Sequence, residues 1–121
     1  MTSGPPRKGR GRSRAGSGGR KRGIRWTDRA RRDLAEIGEY IARHDPRAAA
    51  RWVSRLTRAV EDAAQMPLAG RLPPEVPHRD VREVLRRNYR IVYRVTGHEI
   101  EVLAVFEGHR LFPDGALPGD E

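Results

Sequence analysis

The chain has 121 residues and a formal net charge of +9, a length that suits one compact domain and no more. It contains no cysteine, which excludes a disulfide framework and a thiolate metal site. No apolar run is long enough to span a bilayer as a helix, and the basic N-terminus lacks the apolar stretch of a secretory signal, so the expected setting is cytoplasmic and away from membranes.

Residues 1–23 carry Arg7, Lys8, Arg10, Arg12, Arg14, Arg20, Lys21 and Arg22 and no acid. Almost all of the net charge therefore sits in this segment, and residues 24–121 are nearly neutral. The segment is rich in Gly, Arg and Ser and has almost no apolar side chain, too few to offset the entropy of ordering. It reads as a disordered basic tail. Such a tail contacts nucleic acid non-specifically through counterion release. The alternatives are a non-essential extension or a start site placed too far upstream.

Ile24–Thr27 is a short β-type segment, and Thr27 or Asp28 is placed to cap a helix. Across Asp28–Arg43, Ala30, Leu34, Ile37 and Ile41 fall on one helical face. Asp45 and Pro46 then supply an N-cap and a first-turn proline. A second helix runs to about Met66, with Ala49, Trp52, Val53, Leu56, Val60 and Ala63 on its apolar face. Pro67 ends it. Two helices joined by so short a break form a hairpin.

Residues 67–80 form a loop whose prolines (Pro67, Pro73, Pro74, Pro77) restrict it. Val81–Arg87 is a strand candidate. Tyr89–Val95 alternates, with Tyr89, Ile91, Tyr93 and Val95 on one face and Arg90, Val92 and Arg94 on the other. Thr96-Gly97-His98 reads as a hairpin turn. In Glu99–Glu107, Ile100, Val102, Ala104 and Phe106 are expected to share a face opposite Leu103 and Val105. The fold class is α+β in the order β-α-α-β-β-β: a small, mainly antiparallel sheet with a helical hairpin on one face. The folded domain spans residues 24–113, followed by a short flexible tail, 114–121. The second sheet face is expected to be open, with Arg90 and Arg94 on it.

Arg82, Arg86, Arg87, Arg90, Arg94 and Arg110 could clamp a phosphodiester from that face. With seven arginines against five acids over residues 79–110, pairing across strands with Glu83, Glu99, Glu101 and Glu107 is the expected reading instead. RNA cleavage by 2′-OH attack needs a base, an acid and a cation at the phosphorane. Glu75, His109 and Arg82 or Arg90 would supply that set; otherwise His109 is a polar strand-end residue and Glu75 a loop carboxylate. His44, His78, His98 and His109 lack ligand spacing, and there is no phosphate-binding glycine loop or dinucleotide fingerprint. No metal or cofactor is expected.

The ordered set W-T-D-R-A-R-R-D-L-A-E-I-G-E-Y-I-A (Trp26–Ala42), P-L-A-G-R-L-P-P-E (Pro67–Glu75), Y-R-I-V-Y-R-V (Tyr89–Val95) and F-E-G-H-R (Phe106–Arg110) resembles the toxins of bacterial RelE/ParE toxin–antitoxin pairs along Ile24–Pro113. In the members that cut mRNA on the ribosome, a histidine and an aromatic residue typically follow the last strand. His109 matches the histidine, Arg110 stands where the aromatic would be, and Glu75 resembles a glutamate that some of them use as a base. The chain is therefore similar to the ParE side more than to the RelE side. That resemblance implies a growth-inhibiting toxin directed at DNA gyrase through protein binding, with no catalytic residues, neutralised by a cognate antitoxin. The alternatives it leaves are a ribosome-dependent mRNA endonuclease (Glu75, Arg82, Arg90, His109) and a non-toxic co-repressor that only binds antitoxin. Candidate partner contacts are Arg51, Arg55, Arg90, Arg94 and Arg110. Ala30, Ala42, Ala48, Ala50 and Ala59 would admit a partner helix at close approach.

Overall fold

The structure is a computed structural model that describes residues 23–76, 80–108, 112–113 and 115–116. Strand β1 (Gly23–Trp26) leads into helix α1 (Asp28–Ala42) and helix α2 (Pro46–Gln65). A 3-10 turn (Pro67–Ala69) follows, then β2 (Val81–Arg86), β3 (Tyr89–Val95) and β4 (Glu99–Glu107). This is the expected β-α-α-β-β-β order. Gly23, which composition places in the tail, opens β1 and donates its N–H to the His98 carbonyl at 3.0 Å. Among the described residues, no helix is long and apolar enough to cross a membrane.

Local chemistry sets the helix boundaries. The Thr27 hydroxyl accepts from the Ala30 N–H at 3.1 Å and donates to the Val102 carbonyl at 2.9 Å. One side chain thus caps α1 and ties it to the sheet. The Asp45 carboxylate accepts from the Arg47 and Ala48 N–H groups, both at 3.1 Å. Pro46 then begins α2, where a missing N–H costs nothing.

The four strands lie in the order β1-β4-β3-β2, with β1 parallel to β4 and the other pairs antiparallel. The helical hairpin covers one face. Ala30, Leu56, Ala59, Val60, Ala63 and Ala64 pack there on Ile91, Tyr93, Ile100, Val102 and Val105, with Leu34, Ile37, Trp52 and Tyr89 at the margin. The Tyr93 hydroxyl donates to the Pro67 carbonyl at 2.6 Å, which satisfies the buried polar end of that ring.

Two expectations are corrected by the sheet. The register of β4 on β3 slips between Val92 and Tyr93: Val92 opposes Ala104, while Tyr93 opposes Val102. Leu103 is the extra residue of a bulge. Ile100, Val102 and Val105 therefore face the helices, whereas Ala104 and Phe106 turn to the other side with Leu103. The second face is also not open. Val76, Val81, Val92, Leu103, Ala104, Phe106 and Ala116 form a second buried cluster, with Phe112 against it. Val76 from the loop before β2, and Phe112 and Ala116 after β4, lie across that face and cover it.

The pairing of β1 with β4 ends at Trp26 and Val102, because the chain turns into α1 at Thr27. Beyond that pairing the Asp33 carboxylate on α1 accepts the Val105 N–H at 3.0 Å. Strand β2 ends one residue earlier than expected, because Arg87 adopts the left-handed region (φ 53) in the turn to β3.

Candidate functional site

The loop between α2 and β2 meets the sheet through Arg90. The Arg90 side chain is only 6% exposed. Its Nη1 and Nη2 donate to the two carboxylate oxygens of Glu75 at 2.8 and 2.7 Å, a bidentate fork. Its Nε donates to Glu83 Oε1 at 2.8 Å, and the other Glu83 oxygen accepts from Arg71 Nε. The guanidinium carbon also lies 5.1 Å from the Phe106 ring centroid and 5.7 Å from that of Phe112. Two arginines thus balance two carboxylates, as buried charge requires.

Electrostatics follow from the pairing. Hydrogen bonds from Arg90 hold the Glu75 carboxyl down at about 2, despite some opposing desolvation. Those same Glu75 bonds, with help from Glu83, push the Arg90 guanidinium up, so it stays charged at any working pH. A carboxylate so acidic is a poor proton acceptor near neutral pH.

The other candidate residues are dispersed. Arg82 donates to the Leu68 and Gly70 carbonyls at 3.1 and 3.0 Å and so holds the 3-10 turn against β2. Arg94 pairs with Glu101 at 3.0 Å, and Glu101 also accepts from Arg25 at 2.6 Å. Arg51 is exposed on α2, and Arg55 lies over the Trp52 ring at 4.7 Å. His109 and Arg110 lie outside the described residues. The structure therefore brings Glu75 and Arg90 together, keeps Arg82 on the loop, and buries Arg90 where an exposed contact residue was expected. The reason is the folded-over loop, which brings a carboxylate to the guanidinium.

Sequence reasoning missed Arg71, Asp33 and Gly70. Gly70 offered a signal in the G-R pair after Pro67: a Cβ there would overlap the Tyr93 hydroxyl and come within 3.0 Å of the Glu83 carbonyl. A side-chain-free residue is needed because Tyr93 passes so close.

The outer side of the helical hairpin carries a shallow groove of about 800 Å³ lined by Leu34, Ala35, Gly38, Ala42, Ala49 and Val53, with Arg31 and Glu39 beside them. Small residues make the groove. Of the alanines expected to admit a partner helix, Ala42 and Ala50 line it, while Ala30 and Ala59 are buried in the core beneath and are unavailable.

A helical hairpin on a four-stranded mixed sheet in the order β-α-α-β-β-β is a RelE/ParE-like fold. The chain belongs to the ParE toxin family: residues 24–112 match the family described as "ParE toxin of type II toxin-antitoxin system, parDE". It is 44% identical over 96 residues to "Putative toxin Y4kP" of Sinorhizobium fredii, covering 78% of this chain and 95% of that protein. Among solved structures it is similar to a chain of the chromosomal ParDE toxin–antitoxin system from P. aeruginosa. That match has TM-score 0.61 and 30% identity, over 72% of this chain and 96% of that one. It is also similar to a chain of the RelBE2 toxin–antitoxin complex from Mycobacterium tuberculosis, with TM-score 0.52 and 25% identity, over 72% of this chain and 91% of that one.

Proposed function

We propose that this toxin acts by binding a protein, DNA gyrase, rather than by cutting RNA, and that a cognate antitoxin neutralises it. The observation that carries this reading is the filled fork of Arg90. An RNA phosphate needs a free guanidinium, and a 2′-OH needs a base of near-neutral pKa. Here Glu75 and Glu83 occupy the guanidinium, and Arg90 in turn removes the basicity of Glu75. Arg82 is committed to loop carbonyls. Gyrase as the target rests on the ParE family resemblance.

The antitoxin is assigned to the hairpin groove, where an amphipathic helix seats its apolar side chains between α1 and α2. Its binding end is expected to be disordered when free and to fold as it docks.

The test compares purified protein in two assays. Gyrase supercoiling should fall, and mRNA on translating ribosomes should stay intact. Ribosome-dependent cleavage that disappears with His109→Ala or Glu75→Ala installs the nuclease reading instead. Absence of both activities, with antitoxin binding retained, installs the co-repressor reading.

A further inference from the structure

Helix α2 has a face that neither the core nor the hairpin groove uses. Arg47, Arg51, Arg55 and Arg58 are all exposed. Their spacing of four, four and three residues sets them within roughly 80° of the helix circumference and along about 16 Å of its axis. Ala49, Leu56, Val60 and Ala63 are buried on the opposite side, so the arginines form a stripe that looks into solvent.

Among the described residues, no ion pair or side-chain hydrogen bond engages any of the four. Arg55 alone has a neighbour, the Trp52 ring at 4.7 Å. The sheet arginines differ: Arg25, Arg71, Arg90 and Arg94 each hold a glutamate. Acids bracket the stripe without balancing it. The Asp45 carboxylate accepts from the N–H groups of Arg47 and Ala48 at the N-cap. Glu61 and Asp62 follow Arg58, and Asp62 faces Arg86 at 3.8 Å. Such a stripe opposes helix stability. Like charges at i,i+4 repel, and cations near a helix N-terminus oppose the macrodipole; the first turn of α2 holds no acid. An anion laid along the stripe relieves both.

The surroundings of the stripe favour phosphate as that anion. A protein interface takes its energy from desolvated anchors, yet the exposed positions between these arginines are only Ala50 and Ser54. Phosphate contacts need no such anchors, and the planar guanidinium matches phosphate geometry. A single strand needs stacking rings, and Trp52 is half-buried with Arg55 over it. A duplex needs none, and one strand of it presents about five phosphates over 16 Å. Residues 1–22 of the same chain add eight cations and no acid.

We infer that the arginine stripe of α2 docks the phosphate backbone of double-stranded DNA without reading its sequence. The choice of DNA rests on the gyrase reading above, because DNA is the polyanion beside that target. The stripe is separate from the antitoxin groove, which lies on the side of α2 that carries Ala49, Ala50 and Val53.

The experiment measures binding of the full chain to a random-sequence DNA duplex by fluorescence anisotropy across a range of salt. An RNA duplex of the same length and poly-L-glutamate are the parallel probes. The variants are Arg47→Gln/Arg51→Gln/Arg58→Gln and the charge-matched Arg31→Gln/Arg32→Gln/Arg87→Gln, which removes exposed arginines outside the stripe. Each is checked to melt no lower than wild type. The stripe variant is expected to bind DNA more weakly on the order of tenfold or more, with a slope of log affinity on log salt shallower by about 2–3. The control variant is expected to keep the wild-type slope. A stripe variant with wild-type affinity and slope overturns the surface and leaves residues 1–22 as the DNA contact. An equal loss in the control overturns it in favour of net charge alone, and a wild-type chain that does not bind DNA overturns it outright. Tighter binding of the RNA duplex overturns the choice of DNA. Tighter binding of poly-L-glutamate overturns nucleic acid in favour of an acidic protein. All of these arms omit gyrase, so the gyrase reading stands or falls separately, on the supercoiling assay.

Discussion

The guanidinium of Arg90 holds both carboxylate oxygens of Glu75, at 2.8 and 2.7 Å, from 15 residues away in sequence. Through that fork a strand residue facing away from the helices anchors the loop that crosses the sheet. Breaking the fork from either side has different consequences, because Arg90 is buried and Glu75 is not.

Replacing Glu75 with Gln is expected to make the protein less stable at neutral pH but not in strong acid. The Glu75 carboxyl is lowered from 4.5 to about 2 in the folded chain. A depressed carboxyl contributes stability above its unfolded pKa and loses it as pH falls through the folded value. The side chain is 39% exposed, so solvent screening reduces the contribution to about 1 kcal/mol. Urea midpoints of wild type and Glu75→Gln should differ at pH 7, converge as pH falls below 4.5, and coincide only below about pH 2. A gap that persists in acid would show that packing, not charge, anchors Glu75.

Replacing Arg90 with Met should cost more, roughly 3–5 kcal/mol, because it strips one partner from a buried carboxylate. Glu83, whose side chain is 0% exposed, then keeps only Arg71. Chemical denaturation at pH 7 measures it. A loss no larger than that of Glu75→Gln would mean that Arg71 alone suffices for Glu83.

Gly70→Ala should destabilise the fold by about 1–3 kcal/mol through overpacking. The added carbon meets the Tyr93 hydroxyl and ring and the Glu83 carbonyl. Tyr93→Phe in the Gly70→Ala background removes the closest of these atoms. The double-mutant cycle should therefore show favourable coupling. Strict additivity would mean that the backbone shifts away from the clash instead.

Asp33→Ala should cost about 1–3 kcal/mol by leaving the Val105 N–H without its acceptor. Asp33→Asn keeps an acceptor oxygen and should lose less. Amide exchange at Val105 is the sharper measurement, rising in Asp33→Ala and staying slow in Asp33→Asn. Burial also raises the Asp33 carboxyl, so part of the loss in Asn is offset by relief of that desolvation.

Deleting residues 1–22 should leave the melting temperature unchanged, because the core clusters are built wholly from later residues. The cut must spare Gly23, which pairs with Glu99 in the sheet. A marked drop in melting temperature or toxicity would assign the basic segment a part in stability or binding.

What the sequence determined by itself was local. Thr27, Asp45, Pro46 and Pro67 mark helix ends through bonds and φ restrictions that act within one turn, so the residues alone place α1 and α2. Period-two alternation likewise placed β3, and the ordered motifs pointed to the family. The tertiary structure decided the rest. Apolar residues occupy both faces of β4, so alternation there carries no sign of where an extra residue enters, and only pairing with β3 reveals the bulge at Leu103. Whether Arg90 faces solvent or a carboxylate depends on where a proline-rich loop lands. That is set by Gly70 fitting under Tyr93 and by Arg82 gripping the loop carbonyls. Such contacts join residues far apart in sequence, and no periodicity encodes them.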